Sequence, residues 1–149
     1  MTDFLGAKIA LLCGDELVAY RRDDKPDIPF PGFWDLPGGG REGAESPLEC
    51  AFRETEEEFG LRLSAGQVRW ERFYTHASGL PPSWFFVAEI EPAQAASIVF
   101  GDEGQYWRMM AVREFLEMPD APPNLQARLR QYLESIGGSS LTPATGFVP

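Results

Sequence analysis

Residues 39–61 read GGREGAESPLECAFRETEEEFGL, and this stretch decides how the rest of the chain is interpreted. Its middle holds a complete helix start, with Ser46 as N-cap, a proline at the first helical position and Glu49 three residues after the cap. Gly60 predicts a helix end in the left-handed conformation. At about 100° per residue, one apolar stripe of this helix is predicted to face the core. The stripe consists of Leu48, Phe52, Thr55 and Phe59, with Ala51 at its edge.

Three glutamates, Glu54, Glu57 and Glu58, lie at i, i+3 and i+4 of this helix and therefore share one face. That face is roughly 130° from the apolar stripe, which predicts that it lies outside the core. A solvated acidic face is the ordinary interpretation of such a charge run. Against it, no lysine or arginine follows Glu54 or Glu57 at i+4, and a glycine-rich run, residues 37–40, precedes the helix. Carboxylates beside a backbone carbonyl are oxygen ligands for Mg²⁺, which is the alternative interpretation.

The same 23 residues resemble the Nudix box, G-x5-E-x7-R-E-U-x-E-E-x-G-U, without a gap, U being a bulky apolar residue. The eight positions that match are Gly39, Glu45, Arg53, Glu54, Glu57, Glu58, Gly60 and Leu61. Thr55 takes the first bulky apolar position, a mild departure that a β-branched side chain can fill. So many fixed positions are far more specific than a lone glycine motif. The resemblance implies a Nudix fold of the α/β (α+β) class, a mixed sheet sandwiched between helices.

The resemblance also implies roles for the matching residues. The implied ligands of one or more Mg²⁺ or Mn²⁺ ions are the Gly39 carbonyl and the carboxylates of Glu54, Glu57 and Glu58. Which glutamate takes the proton from water is left open, with Glu54 and Glu57 among the catalytic candidates. Arg53 and Glu45 are expected to orient these ligands. The alternative for that pair is a purely structural ion pair between helix and loop.

Three further positions resemble MutT-type members of the family more loosely. Glu103, in the loop FGDEGQ of residues 100–105, is a candidate extra metal ligand or base, or simply part of an exposed turn. Asn124 follows two prolines, as does the asparagine that binds the base in those relatives, but it is also an excellent N-cap, and the cap is the favoured interpretation. Arg22 matches a phosphate-binding position, its alternative being a solvated strand end.

The remaining chain predicts strands mixed with a few helices. Ala7–Cys13 and Leu17–Tyr20 indicate a hairpin, residues 21–33 a loop, and Trp34–Leu36 a brief strand that ends at Pro37 and the glycines. The later predicted elements are strands at Val68–Tyr74, Trp84–Ile90 and Tyr106–Val112, a short helix at Arg113–Met118 and an amphipathic helix at Asn124–Ile136. Because Trp84, Phe85 and Phe86 cannot all face one side of a strand, one or two are candidates for a base-stacking pocket, with the core as the alternative.

The length and net charge of the chain limit its domain organisation and the classes of partner that it can bind. A chain of 149 residues predicts one domain, residues 1–136, followed by a flexible tail at 137–149 rich in turn residues. The net charge of −10 disfavours binding to nucleic acid or a membrane surface. The start of the chain shows no targeting signal, and Cys13 and Cys50 are expected to be reduced and buried in a cytoplasmic protein.

Together these features predict an enzyme that hydrolyses a nucleoside diphosphate linked to another group, X. The leading prediction is a MutT-like pyrophosphohydrolase of (deoxy)nucleoside triphosphates or oxidised nucleotides, which releases a monophosphate and pyrophosphate. An enzyme acting on ADP-ribose or another nucleotide sugar is the first alternative. A Nudix domain that senses a nucleotide without cleaving it is the non-enzymatic alternative. The expected partner is a small nucleotide, and the oligomeric state, monomer or homodimer, is left open.

Overall fold

The structure is a computed structural model that describes residues 3–77 and 79–137. Its strands are β1 (Gly6–Cys13), β2 (Glu16–Arg21), β3 (Trp34–Asp35), β4 (Gly38–Gly40), β5 (Val68–Tyr74), β6 (Ser83–Glu89) and β7 (Tyr106–Ala111). Its α-helices are α1 (Pro47–Phe59), α2 (Pro92–Ala96), α3 (Val112–Glu117) and α4 (Pro123–Ser135), and a 3₁₀ turn spans Ala65–Gln67. The seven strands form one sheet in the order β3-β2-β1-β6-β5, with β4 also paired to β1 and β7 to β2.

Strand β1 lies at the centre of this sheet because it is apolar on both faces. It pairs antiparallel with β2 in the predicted hairpin and parallel with β6, where Ala7 lies opposite Trp84. Its alternate residues point to opposite sides, so Ile9 packs in one core and Ala10 in the other. Apolar side chains on both faces of a strand predict cover on both sides of the sheet.

Helices provide that cover. Helices α3 and α4 enclose the first core, in which Phe115, Leu125, Leu129 and Leu133 are buried. Helix α1 encloses the second core through a different set of buried residues, which includes Phe59. The mixed sheet sandwiched between helices is therefore confirmed.

The local signals of α1 form as the sequence predicts. The Glu49 backbone N–H donates to Ser46 Oγ at 3.1 Å, and the Ser46 N–H donates to the Glu49 carboxylate at 2.7 Å. Gly60 ends the helix at φ 67°, a conformation that glycine adopts without strain. Thr55 is fully buried because its hydroxyl donates to the Ala51 carbonyl oxygen at 2.8 Å, which satisfies its polar group inside the core.

Several expectations need correction. Residues 38–40 were expected to be a loop after a halted strand, but they form strand β4 because their backbone pairs with β1. The short helix α2 was not predicted. Asn124 is not the N-cap of α4: the helix begins at Pro123 and Pro122 holds the cap position, as suits a proline at the first helical residue. Phe85 and Phe86 are both core residues, one in each core.

The remaining expectations concern the C-terminal tail, the two cysteines and membrane-spanning helices. Most of the predicted C-terminal tail, residues 138–149, lies outside the described residues. Cys50 is buried and Cys13 partly so, and neither forms a disulfide. Among the helices of residues 3–77 and 79–137, none has the length and apolar character needed to cross a bilayer.

Candidate active site

The site is built where helix α1 packs on strand β4. The backbone of Gly39 runs directly under the Glu54 side chain: a Cβ added to Gly39 would lie 2.7 and 2.8 Å from the two Glu54 carboxylate oxygens. Contacts that short do not occur with a real Cβ, so only glycine permits this arrangement. The requirement for close backbone approach explains why a glycine occupies this position. The Gly39 carbonyl oxygen accepts a hydrogen bond from the Cys50 thiol, at 3.5 Å.

Arg53 organises the acidic side chains around it. Its Nε and Nη2 donate to the two Glu45 oxygens, both at 2.9 Å, and Nη2 also donates to the Gly40 carbonyl oxygen at 2.9 Å. Its Nη1 donates to Glu54 at 3.1 Å and to Glu57 at 3.2 Å. The two parallel bonds to Glu45 are the strong, directional form of an arginine–carboxylate pair. These hydrogen bonds lower the pKa of Glu45 to about 2.

Arg53 compensates part of the charge on the acidic face. No cation follows Glu54 or Glu57 at i+4, but Arg53 lies four residues before Glu57 and forms an ion pair with it. Part of the negative charge on this face is therefore neutralised by the protein itself.

Glu58 and Glu54 are less solvated than the helical wheel predicts. The Glu54 side chain is only 15% exposed because β4 covers it, whereas Glu57 is 56% exposed. Glu58 Oε1 accepts a hydrogen bond from the Gly38 N–H at 3.0 Å. Burial raises the pKa of Glu58 to about 8, although Lys8 and the Gly38 N–H act in the opposite direction. Burial likewise raises the pKa of Glu54.

The donor set fits a hard divalent cation, although the side chains do not yet surround one point. Within residues 3–77 and 79–137, no three acidic, histidine or cysteine side chains converge as a formed metal site. Glu54 and Glu57 instead share one nitrogen of Arg53, and Glu58 holds the β4 backbone. All three are nevertheless carboxylates next to a peptide backbone that has no side chains, and oxygen ligands of this kind are those that Mg²⁺ and Mn²⁺ prefer.

A buried carboxylate that the sequence analysis missed lies on the other side of β4. Asp35 is 2% exposed, and its Oδ2 accepts hydrogen bonds from Lys8 Nζ at 2.9 Å, Arg22 Nη1 at 2.8 Å and the Tyr20 hydroxyl at 3.2 Å. Burial alone would raise the pKa of Asp35, but Lys8 and these hydrogen bonds keep it below its ordinary value. Lys8 is a single charge inside the apolar run of β1, a signal that the sequence offered.

A cavity of about 340 Å³ opens next to these groups. It brings together two predicted substrate-binding residues, Arg22 and Asn124, with the predicted metal-site residue Gly39. Its other lining residues are Leu5, Gly6, Ala7, Lys8, Pro29, Phe30, Asp35, Gly40, Ser83, Trp84, Pro122, Leu125 and Arg128. Asn124 is exposed at the start of α4. The ring of the partly buried Trp84 stacks on Phe86 and packs against the second core, which favours the core interpretation of this residue.

The charge of the cavity lining is opposite to that of the chain. Lys8, Arg22 and Arg128 contribute three positive charges, and Asp35 is the one acidic side chain among the lining residues. In a protein of net charge −10, this is a local site for an anion.

Among the described residues, no hydrogen bond or ion pair joins the Glu103 side chain to the site. Its loop reaches α1 through a hydrogen bond from the Gly101 N–H to the Glu58 carbonyl oxygen at 2.8 Å. The Glu103 side chain itself is exposed, and within the described part of the chain it has no hydrogen bond or ion pair. Its role remains a prediction.

The chain is similar to known proteins along most of its length. The family model described as NUDIX domain matches residues 5–134. A Nudix hydrolase of Pseudomonas aeruginosa, uncharacterised by name, is 30% identical over 122 residues, 80% of this chain and 71% of that protein. The m7GpppN-mRNA hydrolase of Bos taurus is 35% identical over 82 residues, 54% of this chain. The chain spans only 27% of the length of that relative.

Solved structures share the fold at low sequence identity. The MutT protein of Methanosarcina mazei matches with a TM-score of 0.69 and 18% identity, covering 90% of this chain and 96% of that one. An Ap4A hydrolase of Caenorhabditis elegans, in a binary complex, matches at 0.68 and 17%, covering 89% and 98%. A bifunctional NMN adenylyltransferase/ADP ribose pyrophosphatase of Francisella tularensis, complexed with AMP and a manganese ion, matches at 0.70 and 17%, covering 91% and 42%.

Proposed function

The chain belongs to the NUDIX domain family, and from that premise we propose that it hydrolyses a phosphoanhydride bond in a nucleoside diphosphate linked to another group, X. The observation that carries this proposal is the position of strand β4. Its glycine backbone contacts Glu54 and Glu58 of α1, and two of its glycines, Gly39 and Gly40, also line the cationic cavity. A polyphosphate bound across β4 meets acidic ligands for a metal at one end and positive charge at the other.

A divalent cation held by the glutamates would neutralise charge on the phosphates and lower the pKa of a bound water. The residues proposed to hold it, Mg²⁺ or Mn²⁺, are the Gly39 carbonyl, Glu54, Glu57 and Glu58. Arg53 fixes the direction of the Glu54 and Glu57 carboxylates, and Glu45 fixes Arg53 in turn. Glu54, Glu57 and Glu103 stay the candidates for the residue that takes the proton from water.

The cavity supplies the binding of the nucleotide. Arg22 and Lys8 are held in place by Asp35, and one negative charge against two positive ones leaves net attraction for phosphate oxygens. Asn124 offers an amide at the cavity for a base. Phe30, which lines the cavity and is 43% exposed, offers an aromatic surface, and base–aromatic stacking is worth roughly 1–3 kcal/mol.

Within this reaction class we propose a MutT-like pyrophosphohydrolase of nucleoside triphosphates or oxidised nucleotides, with a nucleoside monophosphate and pyrophosphate as products. Its support is that Arg22 and Asn124, which resemble residues of MutT-type proteins, line one cavity with Gly39. Cys13 and Cys50 form no disulfide, which agrees with the cytoplasmic location that we propose.

A substrate screen tests the proposal. The purified protein is incubated with Mg²⁺, and separately with Mn²⁺, against nucleoside triphosphates, oxidised triphosphates, ADP-ribose and dinucleoside polyphosphates. Pyrophosphate with a monophosphate supports the proposed reaction, whereas AMP with ribose phosphate supports the ADP-ribose alternative. Tight nucleotide binding without hydrolysis in either metal would identify a sensing domain and refute the enzymatic proposal.

A further inference from the structure

Arg128 lines the cavity, and no residue in the described part of the chain forms a hydrogen bond with its side chain. It is on the buried side of α4, between Leu125 and Leu129, and is only 9% exposed. Its guanidinium packs over the Tyr74 ring, 4.2 Å from the centroid. Among residues 3–77 and 79–137, no carboxylate, carbonyl or hydroxyl accepts a hydrogen bond from it, and it forms no ion pair.

This arrangement leaves the guanidinium available to a ligand in the cavity. Burial lowers the pKa of Arg128, because the charged form loses solvation. The Tyr74 ring offsets part of that loss through a cation–π contact, but it leaves the N–H groups without acceptors. A guanidinium has five N–H donors in a rigid planar fork and no acceptor, so its natural ligand presents two adjacent acceptor atoms.

The other cations of the cavity are already committed. Lys8 and Arg22 both donate to Asp35, and Lys8 also donates to the Leu36 and Gly38 carbonyl oxygens. The donors of the Arg128 guanidinium, in contrast, have no acceptor among residues 3–77 and 79–137. Binding of a ligand to these N–H groups would explain why an arginine occupies a position on the buried face of α4 where a leucine would pack well.

The remaining lining favours a flat ring over a free phosphate. Phe30 contributes aromatic surface, and Leu5 and Leu125 contribute aliphatic surface. Phe30 is 43% exposed. Its backbone has φ 49°, a left-handed conformation that is uncommon for residues other than glycine. An exposed aromatic side chain beside a cavity offers a face on which a planar group can stack.

We infer that Arg128 is a specificity-determining residue, which recognises the base through a carbonyl oxygen next to an unprotonated ring nitrogen. Guanine has that pair of acceptors, whereas adenine replaces the carbonyl by an amino donor that faces the guanidinium unfavourably. The inference rests on the proposed function, since it assumes that the ligand is a nucleotide. It assigns the choice of base to a residue of α4 that no motif in the sequence marks.

The test compares Arg128→Gln and Arg128→Lys with wild type, and uses Arg113→Gln as the matched control. Arg113 is exposed on α3 and lies outside the cavity lining, so its loss changes the net charge by the same amount. kcat/KM is measured for dGTP and dATP, and the Kd of GMP and AMP is measured by calorimetry in EDTA. Thermal unfolding establishes that each variant is folded.

We expect wild type and Arg113→Gln to prefer guanine over adenine by roughly tenfold or more, the discrimination that a bidentate arginine–base pair supplies. Arg128→Gln should abolish this preference in both assays and act mainly on KM. Arg128→Lys keeps the charge and the ring contact but loses the fork, so it should lose most of the preference as well.

Two results would overturn the inference: a wild type without guanine preference, or folded Arg128 variants that keep the wild-type ratio or weaken both nucleotides equally. A different result would refute the proposed function. A protein that hydrolyses no nucleotide but binds GMP more tightly than AMP through Arg128 would retain base recognition and lose the enzymatic assignment.

Discussion

The carboxylate of Glu54 rests on the Cα of Gly39, with no space between them for even one methyl group. The atoms in the way belong to the end of a flexible side chain and not to the backbone. A larger residue at position 39 therefore displaces the carboxylate and leaves the fold in place.

Gly39→Ala should consequently weaken metal binding without unfolding the protein. We expect the affinity for Mn²⁺ to fall roughly tenfold to a hundredfold, the range seen when groups that orient metal ligands are disturbed. Calorimetric titration with Mn²⁺ measures this, and circular dichroism checks the fold. Gly40→Ala is the control, since a Cβ there meets only the Leu5 carbonyl oxygen at 4.0 Å. Equal losses of affinity in both variants would contradict the specific contact with Glu54.

Glu57→Gln should abolish turnover and leave stability nearly unchanged. Glu57 is 56% exposed and, within residues 3–77 and 79–137, is bonded only to Arg53, so little of the fold depends on its charge. We expect kcat to fall about a hundredfold or more, whether the carboxylate binds the metal or moves a proton. Glu56→Gln is the matched control, because Glu56 is similarly exposed on the same helix and pairs with Arg62 outside the site. Unchanged turnover in Glu57→Gln would remove this residue from the catalytic set.

The raised pKa of Glu58 predicts how stability depends on pH in the absence of metal. Between its unfolded pKa of about 4.5 and its folded pKa of about 8, the folded protein holds a proton that the unfolded chain has released. The free energy of unfolding should therefore fall as the pH rises through this window. Urea unfolding in EDTA at several pH values measures the slope.

Binding of a divalent cation should reverse this effect, because a carboxylate must be deprotonated to act as a ligand. Titration of Mg²⁺ at pH 7 in buffers of different ionisation enthalpy should show release of up to one proton for each metal site. Glu58→Gln should lose both the slope and the proton release. A wild-type protein whose stability rises between pH 5 and 8 would be inconsistent with a protonated Glu58.

Asp35→Asn should destabilise the protein because it leaves Lys8 and Arg22 without their common anion. Removing one partner of a buried ion pair costs on the order of 3 kcal/mol, and two cations share this one. Urea unfolding measures the loss. Asp102→Asn provides the comparison, since that carboxylate is exposed and we expect a change within about 0.5 kcal/mol. If both substitutions cost equally little, Asp35 does not hold the cavity cations.

Local signals in the sequence predicted local structure well. Helix α1 was predicted from Ser46 to Gly60 because its caps are encoded within a few residues of one another. The placement of residues 38–40 failed for the opposite reason. Three consecutive glycines indicate a loop by propensity, and their pairing with β1 is a contact between distant parts of the chain that propensity does not contain.

The residues of the candidate site were likewise predicted where the signal is local and missed where it is not. The acidic residues of α1 and their orienting partner Arg53 were predicted because they lie in one contiguous motif. Asp35 and Arg128 were missed, although Asp35 interrupts an apolar strand and Arg128 occupies the apolar stripe of α4. A charged residue in a core position is a detectable signal, but only the tertiary structure shows whether its partner is a protein atom or a cavity.

The three glycines of β4 also bear on which substrate lengths would fit the proposed site. Gly39 contacts the Glu54 carboxylate and also lines the cavity, so the proposed metal ligands and the proposed base site meet at the same strand. The fold fixes the distance between them. Under the proposed function, the number of phosphates between the cleaved bond and the nucleoside would therefore decide which nucleotides fit.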